Sequence, residues 1–152
     1  MAKERSVRVG AAGIIIQDGK ILLVKFDDEH GPHYNYPGGG HQEGETLRKT
    51  AAREVKEETD ADVQVGRLLV TAESAPFEVE YVYGKTHFLK LFFECTLKPG
   101  SKPRLPDKPD LYEVAVEWVS IEQLAELPVI PDISVQLIAA LNDGTPSFFE
   151  DN

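Results

Sequence analysis

The chain has 152 residues, 41% of them hydrophobic, with a formal net charge of −10 and a pI near 4.8. That length suits a single domain over 1–152 with a real apolar core, and the acidic balance argues against nucleic acid or an anionic membrane surface as a partner. A lone cysteine, Cys95, excludes a disulfide framework and a four-Cys zinc site, and no apolar run approaches the ~18 residues of a membrane span, so a cytoplasmic location is the default expectation.

In chain order, the first six residues read as a loose end. Val7 to Ile16 and Lys20 to Phe26 read as strands, joined at Asp18-Gly19, a strong hairpin signal. The unbroken apolar character of the first suggests burial on both faces. Asp27 to His33 reads as a polar loop with two histidines, His30 and His33, leading to a short extended segment, Tyr34 to Pro37. The histidines suit phosphate or metal contact, but also a plain exposed loop.

A helix follows, with Thr46 as N-cap and Ala51, Ala52, Val55 and Thr59 on its packing face. Val63 to Thr71 reads as a strand, Ala72 to Pro76 as a turn, and Phe77 to Tyr83 and His87 to Leu97 as strands around Gly84-Lys85. Period-two alternation puts His87, Leu89, Leu91, Phe93, Cys95 and Leu97 on one face. His87 and Cys95 read as structural.

Lys98 to Pro109, with prolines at 99, 103, 106 and 109, reads as a surface loop before a strand from Glu113 to Val119. Ser120 is then a cap for a short helix from Ile121 to about Leu127. Asp132 is a cap for a last helix from Ile133 to about Leu141, closed by Asn142-Asp143-Gly144. Phe148 and Phe149 in the tail suit docking on the body or at a dimer interface. The order of strands, helix, strands, helices implies an α/β/α sandwich with a mixed β-sheet between helices.

The chemistry concentrates at residues 39–61, GGHQEGETLRKTAAREVKEETDA. Glu54, Glu57 and Glu58 fall on one stripe of a helix, about 100° wide, where like charges repel. A solvated acidic face is one reading; a multivalent cation is the other, and oxygen-only ligands suit Mg²⁺ or Mn²⁺ over zinc. Arg53 stands beside them, with Glu57 at i+4 and Glu45 two turns back, placed to brace carboxylates.

This stretch resembles the Nudix box. Gly39, Glu45, Arg53, Glu54, Val55, Glu57, Glu58 and Ala61 fall in register with that pattern, and Asp60 stands where the family usually has Gly. The resemblance extends over about residues 7–142 and implies the same sandwich fold. It implies a metal-dependent pyrophosphohydrolase that splits the phosphoanhydride bond of a nucleoside diphosphate linked to another group. ADP-ribose or a nucleotide sugar is favoured, with a nucleoside triphosphate as the alternative. A nucleotide-binding domain without catalysis is the rival from another class.

By the same resemblance, Glu54, Glu57 and Glu58 are metal ligands with the Gly38 carbonyl completing the shell. Glu54 also orients or deprotonates the attacking water, and Arg53 and Glu45 fix the loop on the helix. Glu113 is a candidate further acid from a later loop, with an exposed strand-end Glu as the plain alternative. Glu117, on the same face by alternation, is a second candidate. Pro76, 15 residues beyond the box, matches a marker associated with ADP-ribose pyrophosphatases. Phe26, Tyr36, Phe77 and Tyr81 are candidates to stack on a base, and Arg8, Lys25, Arg67, Lys85 and Lys90 are scattered cations available to phosphate. The expected partner is thus a nucleotide-derived small molecule bound with Mg²⁺ or Mn²⁺, with a homodimer as one assembly the family uses.

Overall fold

The computed structural model describes residues 7–75 and 87–151. The expected strand at 77–83 and the Gly84-Lys85 turn lie outside them, as do Pro76, Phe77, Tyr81 and Lys85.

Strands β1 (Arg8–Gln17) and β2 (Lys20–Asp28) form the expected hairpin. Asp18 and Gly19 both take positive φ, 53° and 74°, which matches the right-handed twist of the flanking strands. The two pair only at Ile16–Ile21 and Gln17–Lys20, and then diverge. β1 goes on to lie antiparallel to β4 (Gly38–Gly40) and parallel to β6 (Phe88–Leu97). β6 pairs antiparallel with β5 (Val63–Ser74), and β9 (Ser147–Asp151) closes that edge parallel to β5. β2 pairs instead with β3 (Gly31–Asn35) and β7 (Glu113–Ser120), and β8 (Val129–Ile130) adds to β3. The sheet is therefore mixed.

Helix α1 (Leu47–Thr59) covers one face and α2 (Ser134–Asp143) the other, giving the α/β/α sandwich. Under α1, Val55 packs with Ile15, Leu22 and Cys95, and Ala51 with Ala11 and Phe93. Burying one such Val or Leu side chain stabilises the fold by about 1.5–3 kcal/mol. The larger core lies beneath α2, where Ile14, Leu23, Tyr36, Phe92 and Leu137 meet. β1 feeds both cores, so its apolar run is buried on both sides as its composition implied. Gly13 lets α1 sit close: a Cβ there would lie 2.7 Å from Val55 Cγ2.

Thr46 caps α1 as expected, its side chain accepting from the Lys49 N–H. Asp60 ends the helix in the left-handed region at φ 58°, ψ 18°. The side chain there gains contacts that a glycine lacks. Asp60 Oδ2 accepts from Arg104 Nε at 2.9 Å, and Arg104 N–H meets the Thr59 carbonyl at 2.8 Å. Together with Ser101 Oγ, which accepts from the Asp62 N–H, these bonds tie the proline-rich loop to the end of α1.

Several expectations change. Asp27 to His33 is not a long loop: β2 runs to Asp28 and β3 starts at Gly31, and His33 is buried, stacked on Phe26. β5 continues through Ala72 to Ser74, where a turn was expected, because ladders to β6 and β9 hold it from both sides. Ser120 and Asp132 do not cap through their side chains. The first segment is a 3₁₀ helix over Ile121–Glu126, and Asp132 Oδ1 accepts from the Ser134 hydroxyl instead. In the tail, Phe149 docks on the core while Phe148 stays exposed. Among the described residues no helix is long and apolar enough to cross a membrane.

Candidate active site

The site is built where β4 passes the C-terminal half of α1. Arg53 is its hub, and its five N–H donors meet five acceptors. Nε and Nη2 fork onto Glu45 at 2.6 and 2.9 Å. Nη1 reaches Glu54 at 2.9 Å and Glu57 at 3.2 Å. Nη2 also meets the Gly40 carbonyl at 2.9 Å. This fork-to-carboxylate geometry suits arginine and not lysine. Its hydrogen bonds hold the Glu45 carboxyl down at about 2, well below the usual carboxylate range.

Glu54 lies against the glycine strand. A Cβ on Gly39 would fall 2.5 Å from the Glu54 carboxyl carbon, so only glycine lets the two pass. Burial pushes the Glu54 carboxyl up, against the pull of Arg53. Glu58 is buried, and its Oε1 accepts from the Gly38 N–H at 2.7 Å. Burial pushes its carboxyl to about 8, with the Gly38 N–H and Lys90 opposing. Glu57 points outward, with half its side chain exposed.

Glu113 comes from the other half of the sheet. Between Lys25 and Phe26 the β2–β7 register shifts, so Ala115 opposes Lys25 while Glu113 opposes Phe26 and Val114 is left over. The bulge re-aims Glu113 onto the α1 face. Alternation alone would have kept it with Glu117. In fact Glu117 lies on the opposite face, where it accepts from the Tyr34 hydroxyl at 2.9 Å. Expecting the two glutamates on one face therefore fails at one extra residue.

The outcome is a compact group of Glu58, Asp110 and Glu113, with one oxygen from each within 4.8 Å of the others. Asp110 N–H donates to Glu113 Oε1 at 3.1 Å, and Glu113 Oε2 is buried with no partner among the described residues. Burial and then the Asp110 charge raise the Glu113 carboxyl to about 7, against the Asp110 N–H. Three carboxylates this close need protons or a cation, and an all-oxygen donor set with a spare buried lone pair fits a hard divalent ion. Glu54 and Glu57 stand beside this group without joining it. Asp110 went unread because the proline-rich segment reads as plain surface loop. The only available signal was its place three residues before Glu113.

A cleft of about 310 Å³ opens beside β4, lined by Gly38 to Gly40, Arg8, Lys90, Asn35 and the apolar Val9, Leu89 and Pro131. Lys90 stands between this cleft and the carboxylates. Burial lowers its affinity for a proton while the charges of Glu58 and Glu54 raise it. Of the other scattered cations, Arg67 pairs with Glu94 and Lys25 lies over Tyr34. Tyr36 is core, edge-on to Phe92, and not a base platform.

This arrangement of glycine strand, braced helix and carboxylates on a mixed sheet belongs to a recognisable class. The NUDIX domain family model matches residues 7–141, and the chain is a member of that family. It is 28% identical over 131 residues to Nudix hydrolase 8 of Arabidopsis thaliana, covering 82% of this chain and 32% of that protein. It is 32% identical over 96 residues to nucleoside diphosphate-linked moiety X motif 6 of Xenopus laevis, covering 62% of this chain and 42% of that protein. The chain thus spans less than half the length of either relative.

Among solved structures, a NUDIX hydrolase from Nitrosomonas europaea superposes with a TM-score of 0.73 at 23% identity, covering 93% of each chain. An ADP-ribose pyrophosphatase from Streptococcus suis 89-1591 gives 0.66 at 22% identity, covering 96% of this chain and all of that one. A UDP-X diphosphatase gives 0.70 at 21%, covering 99% of this chain and 70% of that one. At these identities the likeness establishes the shared fold.

Proposed function

We propose that this chain is a metal-dependent pyrophosphohydrolase that cleaves the phosphoanhydride bond of a nucleoside diphosphate linked to another moiety, with ADP-ribose or a nucleotide sugar first. The observation that carries this reading is the carboxylate group of Glu58, Asp110 and Glu113 set against a glycine strand that also lines a cleft with Arg8 and Lys90. The names of the relatives and structural neighbours, which include an ADP-ribose pyrophosphatase and a UDP-X diphosphatase, agree with the substrate class.

Glu58, Asp110 and Glu113, with Glu54, Glu57 and the Gly38 carbonyl as the resemblance implies, would hold Mg²⁺ or Mn²⁺. Such ions, when bound, offset charge on the phosphoanhydride oxygens and acidify a water. The chain's own part is positioning and electrostatics. Lys90 and Arg8 face the cleft and hold phosphate oxygens. Glu54, fixed by Arg53 and Gly39, orients the attacking water or takes its proton. Arg53 and Glu45 keep β4 and α1 in register and touch no reacting atom.

The test is hydrolysis of a nucleotide panel with Mg²⁺ or Mn²⁺, with product identification to show which bond breaks. Glu58→Gln is expected to lower kcat/KM by at least about 100-fold. Unchanged turnover in that variant, or none in the wild type, sinks the reading. Cleavage of nucleoside triphosphates alone would favour the alternative substrate class. Binding that stabilises the fold with metal and never leads to cleavage would favour a binding domain.

A further inference from the structure

The carboxylate group is assembled from two parts of the fold. Glu58 belongs to α1, which packs on β1 and β4. Asp110 and Glu113 come from β7 and the loop before it, and β7 pairs with β2. These two acids are locked to each other: the Asp110 N–H donates to Glu113 Oε1 at 3.1 Å, and the Glu113 N–H donates to the Asp110 carbonyl at 3.0 Å. Neither bond reaches α1, so a further contact must hold the pair against Glu58.

That contact runs through Asp60. The Arg104 N–H donates to the Thr59 carbonyl at 2.8 Å, and Arg104 Nε donates to Asp60 Oδ2 at 2.9 Å. Arg104 Nη1 turns back to Asp107 Oδ1 at 3.3 Å. From Arg104 to Asp110 the chain reads RLPDKPD. Pro106 and Pro109 fix their own φ, and Leu105 and Lys108 are confined by the prolines that follow them. Few torsions are left free, so an anchor at Arg104 limits where the Asp110 carboxylate can lie.

The identity of residue 60 points the same way. Its backbone is left-handed at φ 58°, where glycine is favoured and a Cβ is a cost. The Asp60–Arg104 ion pair is solvent-exposed, and exposed pairs add little stability. Stability alone would select glycine here, and a carboxylate is explained by what it holds.

We propose that Asp60 is a positioning residue for the metal site: through Arg104 it holds the Asp110 loop against α1, so that Asp110 and Glu113 meet Glu58 as one set of ligands. Asp60 touches neither ion nor substrate. The proposal rests on the metal-dependent reading above and adds the residue that joins the two halves of the carboxylate group.

The test measures Mn²⁺ binding to the chelator-stripped full chain by calorimetry, without nucleotide, beside a thermal melt. Asp60→Gly removes the carboxylate and relaxes the left-handed backbone. Its Tm is expected to hold or rise while Mn²⁺ affinity falls about 10-fold, the lower end for groups that orient ligands. A merely structural role gives the reverse, a lower Tm with unchanged affinity. Asp60→Asn tolerates the left-handed backbone and keeps an oxygen for Arg104 Nε, so it is expected to retain most of the affinity. Arg104→Met is expected to weaken Mn²⁺ binding as Asp60→Gly does, and the double variant no further, because both break one link. Losses that add in the double variant overturn the proposal. Unchanged affinity in Asp60→Gly overturns it alone, whereas absence of Mn²⁺ binding in the wild type overturns it together with the metal-dependent reading.

Discussion

Single atoms decide the glycine strand. Gly39 passes Glu54 so closely that one methyl group would occupy the space of the carboxylate. Gly39→Ala is therefore expected to displace Glu54 and lower kcat/KM about 100-fold, the usual consequence of misplacing a group by an ångström. Steady-state kinetics beside a thermal melt would check that activity falls much further than stability. Gly13 makes a different close approach, beneath Val55. Gly13→Ala is expected to cost about 1–3 kcal/mol in a denaturant titration, the range for overpacking. Val55→Ala in the same chain should recover part of that loss, giving a non-additive pair. Asp60 departs from the family pattern, accepts a left-handed backbone and uses its carboxylate to hold Arg104.

At the scale of elements, the bulge in β7 matters most. It takes Glu113 off the face of Glu117 and brings it to Glu58 and Asp110. Deleting Val114 removes the extra residue, and simple alternation from Ala115 then keeps Glu113 opposite Phe26 on the α1 face. The expected outcome is metal-dependent turnover largely retained in a protein that still melts cooperatively, checked by assay and circular dichroism. Loss of turnover in a cooperatively folded deletion variant would refute this account of the bulge. The loop before β7 contributes in the same way. Its bonds from Arg104 and Ser101 to the end of α1 fix the approach to Asp110.

Across the whole molecule, the net charge of −10 and the buried carboxylates act together. Glu113 and Glu58 have raised carboxyl affinities for protons, about 7 in the case of Glu113. A carboxyl raised in the folded state binds protons more strongly there than in the unfolded chain. Its contribution to stability is fully present below about 4.5 and is lost as pH rises through the folded value. Metal-free protein should therefore lose Tm between about pH 5 and pH 8, and added Mg²⁺ should raise Tm more at pH 8 than at pH 5. Scanning fluorimetry with chelator and with Mg²⁺ checks both halves. A Mg²⁺ effect independent of pH would show that these carboxyl groups do not receive the ion. Glu45 acts in the opposite direction: held at about 2 by Arg53, its contribution is present above about 4.5 and is lost only as the solution becomes strongly acid.

Much of the fold is legible in the sequence. The hairpin at Asp18-Gly19, the doubly buried β1, the cap at Thr46 and the order of layers all depend on local pattern, and a period or a turn preference is written in consecutive residues. The brace of Arg53 on Glu45 is likewise a matter of helical spacing and a short loop. What the sequence alone could not place came from distant segments meeting. Asp110 becomes part of the carboxylate group only because its loop is tied to α1. Glu113 turns inward only because one residue is extra relative to β2, a fact of pairing that β7 does not carry by itself. Asn35 and Lys90 share a cleft only because β3 and β6 flank the diverging hairpin. The chain's own pattern thus determined the framework and the carboxylate-bearing helix. Long-range strand register decided which further side chains face that helix, because register is a relation between two strands and a single strand's sequence specifies only its own alternation.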